Sequence, residues 1–206
     1  MFILYALVVG LAAGFLLGGR PAGLARLELR WAPLILGGLV VQLVLFSDVV
    51  ASRIGVLGPS IYVVSSLAVL VAVLRNVALR GLPIVAFGAA CNQVAIIANG
   101  GFMPAGADAL VAQSRSESGL YSNSAAISNP AFAFLTDIFA MPSWVPFANI
   151  FSVGDVLIGI GVAVLIVAAM RSPEPLEPPD GASGNLPHGE AADSTNGGMG
   201  RLTRPT

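Results

Sequence analysis

The chain contains no lysine, one histidine and one cysteine, and only 10 % of its 206 residues are charged. Soluble domains carry about 25 % charged residues. The shortage therefore excludes an ordinary solvated surface. A single cysteine, Cys91, excludes an internal disulfide framework. Set inside an apolar run, it reads as a small core residue. His188 has no neighbour spaced for metal binding, so no metal and no cofactor is expected. A net charge of −1 offers no attraction to nucleic acid.

What the chain has is apolar length. It is 56 % hydrophobic, with a mean hydropathy of +0.85. A bilayer crossing needs roughly 20 predominantly apolar residues. Five stretches qualify, at 2–18, 33–50, 57–74, 82–98 and 152–170. The expected fold is therefore an all-α integral membrane protein, a bundle of five transmembrane helices over 1–171. A disordered tail is expected over 172–206, because its Pro, Gly, Ser and acidic residues bury too little apolar surface to fold. The opening "MFILYALVVG" has no basic residue before its apolar core and reads as a retained first crossing rather than a cleaved signal.

Arginine sets the orientation. Arg20, Arg26 and Arg30 separate the first two stretches, Arg75 and Arg80 separate the third from the fourth, and Arg171 follows the fifth. Basic loops face the cytoplasm. This predicts an inner-membrane protein with its N-terminus outside and its C-terminus in the cytoplasm. The first four crossings hold no charged residue in their interiors, only Gln42, Ser65, Ser66, Asn92 and Gln93. Ion and proton carriers keep ionisable groups at depth, so transport of that kind is not expected. Gly10, Gly14 and Gly18 recur every four residues and present a smooth helix face. Such a face lets a neighbouring backbone approach, within the monomer or in a homo- or hetero-oligomer. Membrane lipid is the other expected partner.

The segment 99–151 is the expected outer loop. "NGGFMPAG" is turn sequence. The polar middle, around Ser118, reads as mobile. In "NPAFAFLTDIFAMP", Asn129 suits an N-cap and Pro130 a first helical position. Phe132, Leu135 and Phe139 would share one face of a short interfacial helix ended by Pro142. Trp144 and Phe147 would then lead into the last crossing.

Two carboxylates belong to this outer side, Asp137 and Asp155. A pair sharing one proton can act as base and acid on a water molecule. Asp155 has a plainer explanation, since Ser152 and Asp155 fit a capping box at the start of the fifth helix. Asn92 and Asn99, seven residues apart on one helix face, are candidate binding residues for a lipid or small molecule, with Asn149 and Ser152.

"ANGGFMP", "FLTD" and "NIFSVGDVLIGIG" together resemble a family of small bacterial multi-pass membrane proteins known only as domain of unknown function 5317. That resemblance implies the membrane fold and no activity. A narrower stretch, "TDIF" followed by "FSVGDVLIGIG", is similar to the C-terminal part of bacterial lipoprotein signal peptidases. It implies Asp137 and Asp155 as a catalytic pair. Ser152 stands where that family has Asn, Gly154 where it has Ala, and its "G-N-x-x-D-R" and "D-Q" motifs have no counterpart. The first expectation is thus a non-enzymatic partner-binding or assembly component. An aspartyl peptidase and an outer-face binder are the alternatives.

Overall fold

The computed structural model describes residues 2–106, 124–142, 144–146 and 148–173. The polar middle of the 99–151 segment, Phe147, His188 and nearly all of the tail expected to be disordered lie outside the described residues. Helices dominate: α1 (Phe2–Leu16), α2 (Ala22–Ala25), α3 (Ala32–Leu45), α4 (Asp48–Ile54), α5 (Gly58–Leu74), α6 (Leu82–Ala98) and α7 (Val153–Met170). Pro33, Pro59 and Pro83 lie in the first turns of α3, α5 and α6. A missing N–H is harmless there, because first-turn donors have no partner within the helix. The ends of α1 and α6 are closed by glycine pairs. Gly18 has φ +78° and Gly100 φ +73°. The N–H of Gly19 returns to Gly14 O at 2.8 Å, and that of Gly101 to Ile96 O at 2.9 Å. Both are Schellman closures.

The main helix contacts run from α1 to α7, α7 to α6, α6 to α5 and α5 to α3. The directions follow from the residues that meet. Gly10 and Gly14 pack on Ala163 and Met170, so α1 and α7 run parallel. Gly88 meets Gly154 and Gly81 meets Gly161, so α6 runs against α7. The N–H of Arg20 bonds Met170 O at 2.7 Å, and Asn76 Nδ2 bonds Arg30 O at 2.8 Å. The loops carrying Arg20, Arg26, Arg30, Arg75 and Arg80, together with Arg171, therefore share one end of the bundle, the arginine end. Asp137 and Asp155 belong to the other, the aspartate end.

Burial is inverted relative to a soluble bundle. Small residues fill the contacts, while Leu16, Leu43, Val64 and Phe87 are 88, 76, 67 and 64 % exposed. Among the described residues, two helical stretches are long and apolar enough to cross a bilayer, Val49–Leu74 with 26 residues and Val153–Met170 with 18. Only 33 % of an 18-residue apolar window in each is buried. The first bends at Gly55, where φ is +51°.

One expectation is met only in part and two need correction. Five full-length crossings do not emerge, because α1, α3 and α6 have 15, 14 and 17 residues. At about 1.5 Å per residue these reach roughly 21–26 Å, against about 30 Å of hydrocarbon. The stretch 33–50 stops at Leu45 because Ser47 is extended, and α4 starts afresh after it. The fold is also not purely helical. β1 (Met103–Ala105) pairs in parallel with β2 (Ser124–Ala126), and β3 (Phe139–Ala140) pairs antiparallel with β4 (Ile150–Phe151). No interfacial helix follows Asn129 and Pro130. Phe132 adopts φ +52° and only a 3-10 turn forms, Ala133–Leu135. The backbone beyond it bonds elsewhere: Asp137 N reaches Pro104 O at 2.9 Å, and Gly106 N reaches Asp137 O at 3.0 Å. The spacing of Phe132, Leu135 and Phe139 allowed a helix, but partners from distant strands took the hydrogen-bonding groups first.

Candidate functional site

The aspartate end gathers most of the polar side chains singled out above. Ser152 caps α7 with φ −103° and ψ 171°. Its hydroxyl accepts from Asp155 N at 3.0 Å, and its own N–H donates to Asp155 Oδ2 at 3.1 Å. Together these bonds close the capping box. Asn92 on α6 completes the set. Its Nδ2 donates to Asp155 Oδ1 at 2.8 Å, and its Oδ1 accepts from Ser152 Oγ at 2.8 Å. Each amide atom of Asn92 and each oxygen of Asp155 thus has a protein partner, and Ser152 is fully buried.

Glycine makes this network possible. A Cβ on Gly154 would lie 1.9 Å from Asn92 Oδ1, and one on Gly88 would lie 2.5 Å from Gly154 O. The close approach recurs two helical turns away. There a Cβ on Gly161 would lie 2.6 Å from Gly81 O. Two glycines seven residues apart on each helix therefore bring the α6 and α7 backbones together, and Asn92 can reach across a gap that short.

Asn99 ties the loop to α6. Its Nδ2 donates to Ala131 O at 3.0 Å and Ala95 O at 2.7 Å, while Ala131 N donates to its Oδ1 at 2.9 Å. Asn149 Nδ2 donates to Ile150 O at 2.9 Å, beside β4. Asp137 is buried, 5 % exposed, and its backbone joins the Ala105 bridge. The hydrogen bonds of the Asp155 carboxylate go to Asn92 and Ser152. Tyr5 OH donates to Pro146 O. Phe2, Phe151 and Phe139 stack in series, at 4.7 and 5.4 Å between ring centroids. Facing outward are Phe132, Phe134 and Trp144, the last 82 % exposed.

Three of the polar side chains within the helices bond to backbone carbonyls of α5. Ser65 and Ser66 donate to Tyr62 O at 3.0 and 2.7 Å, and Gln93 Nε2 reaches Val63 O at 3.4 Å. Of the glycine stripe, Gly10 and Gly14 are buried against α7 of the same chain, while nothing would meet a Cβ on Gly18. Sequence reasoning missed Asn76. This residue is 4 % exposed and clamps Arg30 through Arg30 N to Oδ1 at 2.7 Å and Nδ2 to Arg30 O. It also missed the seven-residue glycine spacing in α6 and α7, which was present in the sequence as a signal.

Residues 26–167 match the family described as "Family of unknown function (DUF5317)". The chain belongs to this family. The matched region runs from the first arginine loop into the last turns of α7 and contains the whole Asn92–Ser152–Asp155 network. α1 precedes it. Nothing among curated proteins or solved structures matches the chain.

Proposed function

We propose that this DUF5317 member is a multi-pass protein of the bacterial inner membrane, with the aspartate end outside and the arginine end in the cytoplasm. In this reading it is a non-enzymatic component that holds a rigid outer surface for a partner or an assembly. The observation that carries it is the fate of the outer polar groups. Asn92, Asn99, Ser152 and Asp155 are bonded to the protein itself, and the large side chains facing out include Phe132, Phe134 and Trp144. The membrane setting is supported by helices that are apolar all round yet only about a third buried.

The test is photo-crosslinking in cells from a benzophenone side chain at position 134 or 144. A discrete protein adduct at both positions is expected, and adducts to lipid alone would overturn the partner reading. The peptidase reading, with Asp137 and Asp155 as its acids, is favoured by one observation, the burial of the Asp137 carboxyl. It requires Asp137→Asn to abolish a proteolytic activity while leaving the protein folded. The binder reading draws support from a cavity of about 370 Å³ beside Pro59, Ser60, Gly100 and Gly101. Its candidate residues Asn92, Asn99, Asn149 and Ser152 already bond within the fold.

A further inference from the structure

The arginine end has a feature that the partner reading does not use. A cavity of about 930 Å³ lies between α7, the turn before α6 and Leu27. Its α7 wall is apolar and includes the small residues Ala163 and Ala168, and Leu79 faces it from the turn. Arg80, Arg171 and Ser172 supply its polar lining. Both guanidinium groups are exposed, and among the described residues no carboxylate pairs with either. The surroundings have the same sign. Among the described residues at this end, Arg20, Arg26, Arg30, Arg75, Arg80 and Arg171 stand against a single acid, Glu28.

We infer that this cavity binds one anionic phospholipid, its phosphate between Arg80 and Arg171 and an acyl chain along the Ala163–Ala168 wall of α7. The inference rests on the membrane reading above, because only a bilayer brings a phosphate and a hydrocarbon chain to this place together. Guanidinium groups suit the phosphate, since each offers paired N–H donors in a planar fork. The apolar wall supplies what a free phosphate cannot use. A choline or ethanolamine headgroup would add a cation next to two others, which selects lipids with net negative charge.

The experiment uses the full chain extracted in mild detergent. Native mass spectrometry and thermal melts are recorded with phosphatidylglycerol, phosphatidylcholine or glycerol phosphate. The wild-type chain is expected to retain one phosphatidylglycerol and to melt higher with it than with either alternative. The double variant R80Q/R171Q is expected to lose affinity about thirtyfold, at roughly 1 kcal/mol per basic residue near a membrane surface. R53Q, at the opposite end, is expected to retain it. A168W fills the groove without changing charge and is expected to lose the lipid as well. Equal retention of phosphatidylcholine, equal stabilisation by glycerol phosphate, or full occupancy in R80Q/R171Q would overturn the site. An alkaline carbonate wash of the membranes separates the two claims. Release of the chain would remove the membrane reading and the inference together. Retention without lipid preference would remove only the lipid site.

Discussion

Asp155 illustrates how one side chain can look reactive and still be explained by the fold. Both groups that reach its carboxylate are donors, Asn92 Nδ2 and Ser152 N. An amide offers a single acceptor oxygen, so Asp155→Asn must leave one donor facing another. We expect that change to destabilise the protein by about 1–3 kcal/mol, the usual penalty for stranding a polar group out of water. Asn92→Leu should cost a similar amount, because it strands the Ser152 hydroxyl and one oxygen of Asp155. Unfolding titrations in mixed detergent measure both. If Asp155→Asn melted like the wild-type chain, the structural role of this carboxylate would be refuted. Asn99 and Asn76 act comparably, each clamping the backbone of a distant residue, Ala131 or Arg30.

Between elements the deciding residue is glycine. Gly88 and Gly161 each set a helix backbone against the other, and a methyl group at either would fall within 2.6 Å of a carbonyl oxygen. Overpacking of that kind typically costs about 1–3 kcal/mol. Gly88→Ala and Gly161→Ala should therefore lower the melting temperature. Gly37→Ala is the internal control. Nothing lies within 4 Å of a Cβ there, and position 37 is inside α3. Removing a glycine from an open helical site should stabilise by about 0.5–1 kcal/mol. A finer contrast exists on α1. A Cβ on Gly10 would meet the backbone of Ala163 at 2.9 Å, whereas one on Gly14 would meet the sulfur end of the unbranched Met170 side chain. Gly10→Ala should be the more damaging of the two in the same melts. Comparable losses would mean that the Met170 side chain cannot yield.

At the scale of the whole molecule, the alternating helix directions place every described arginine except Arg53 at one end. If that end is cytoplasmic, Ser128→Cys in a Cys91→Ala background should react in intact cells with a membrane-impermeant maleimide once the reagent passes the cell envelope. Ser172→Cys should react only after the membrane is broken. Both Ser128 and Ser172 are exposed, so access to the reagent depends on the side of the membrane and not on burial. The reverse pattern would invert the topology and put the lipid-binding cavity outside.

The residue string by itself determined where the apolar helices lie, since hydropathy is a local sum. The stretches 57–74, 82–98 and 152–170 came within a residue of α5, α6 and α7. It also determined the cap at Ser152 and the turn at Gly100–Gly101, because both are set by neighbours within a few positions. Tertiary structure alone decided that Asn92 closes the Ser152–Asp155 cap and that 133–140 forms a 3-10 turn and a strand. It alone decided that Gly10 and Gly14 pack on α7 of the same chain. Each of these depends on a backbone group or side chain dozens of residues away, and the energy of such a contact is fixed only when folding brings the two together.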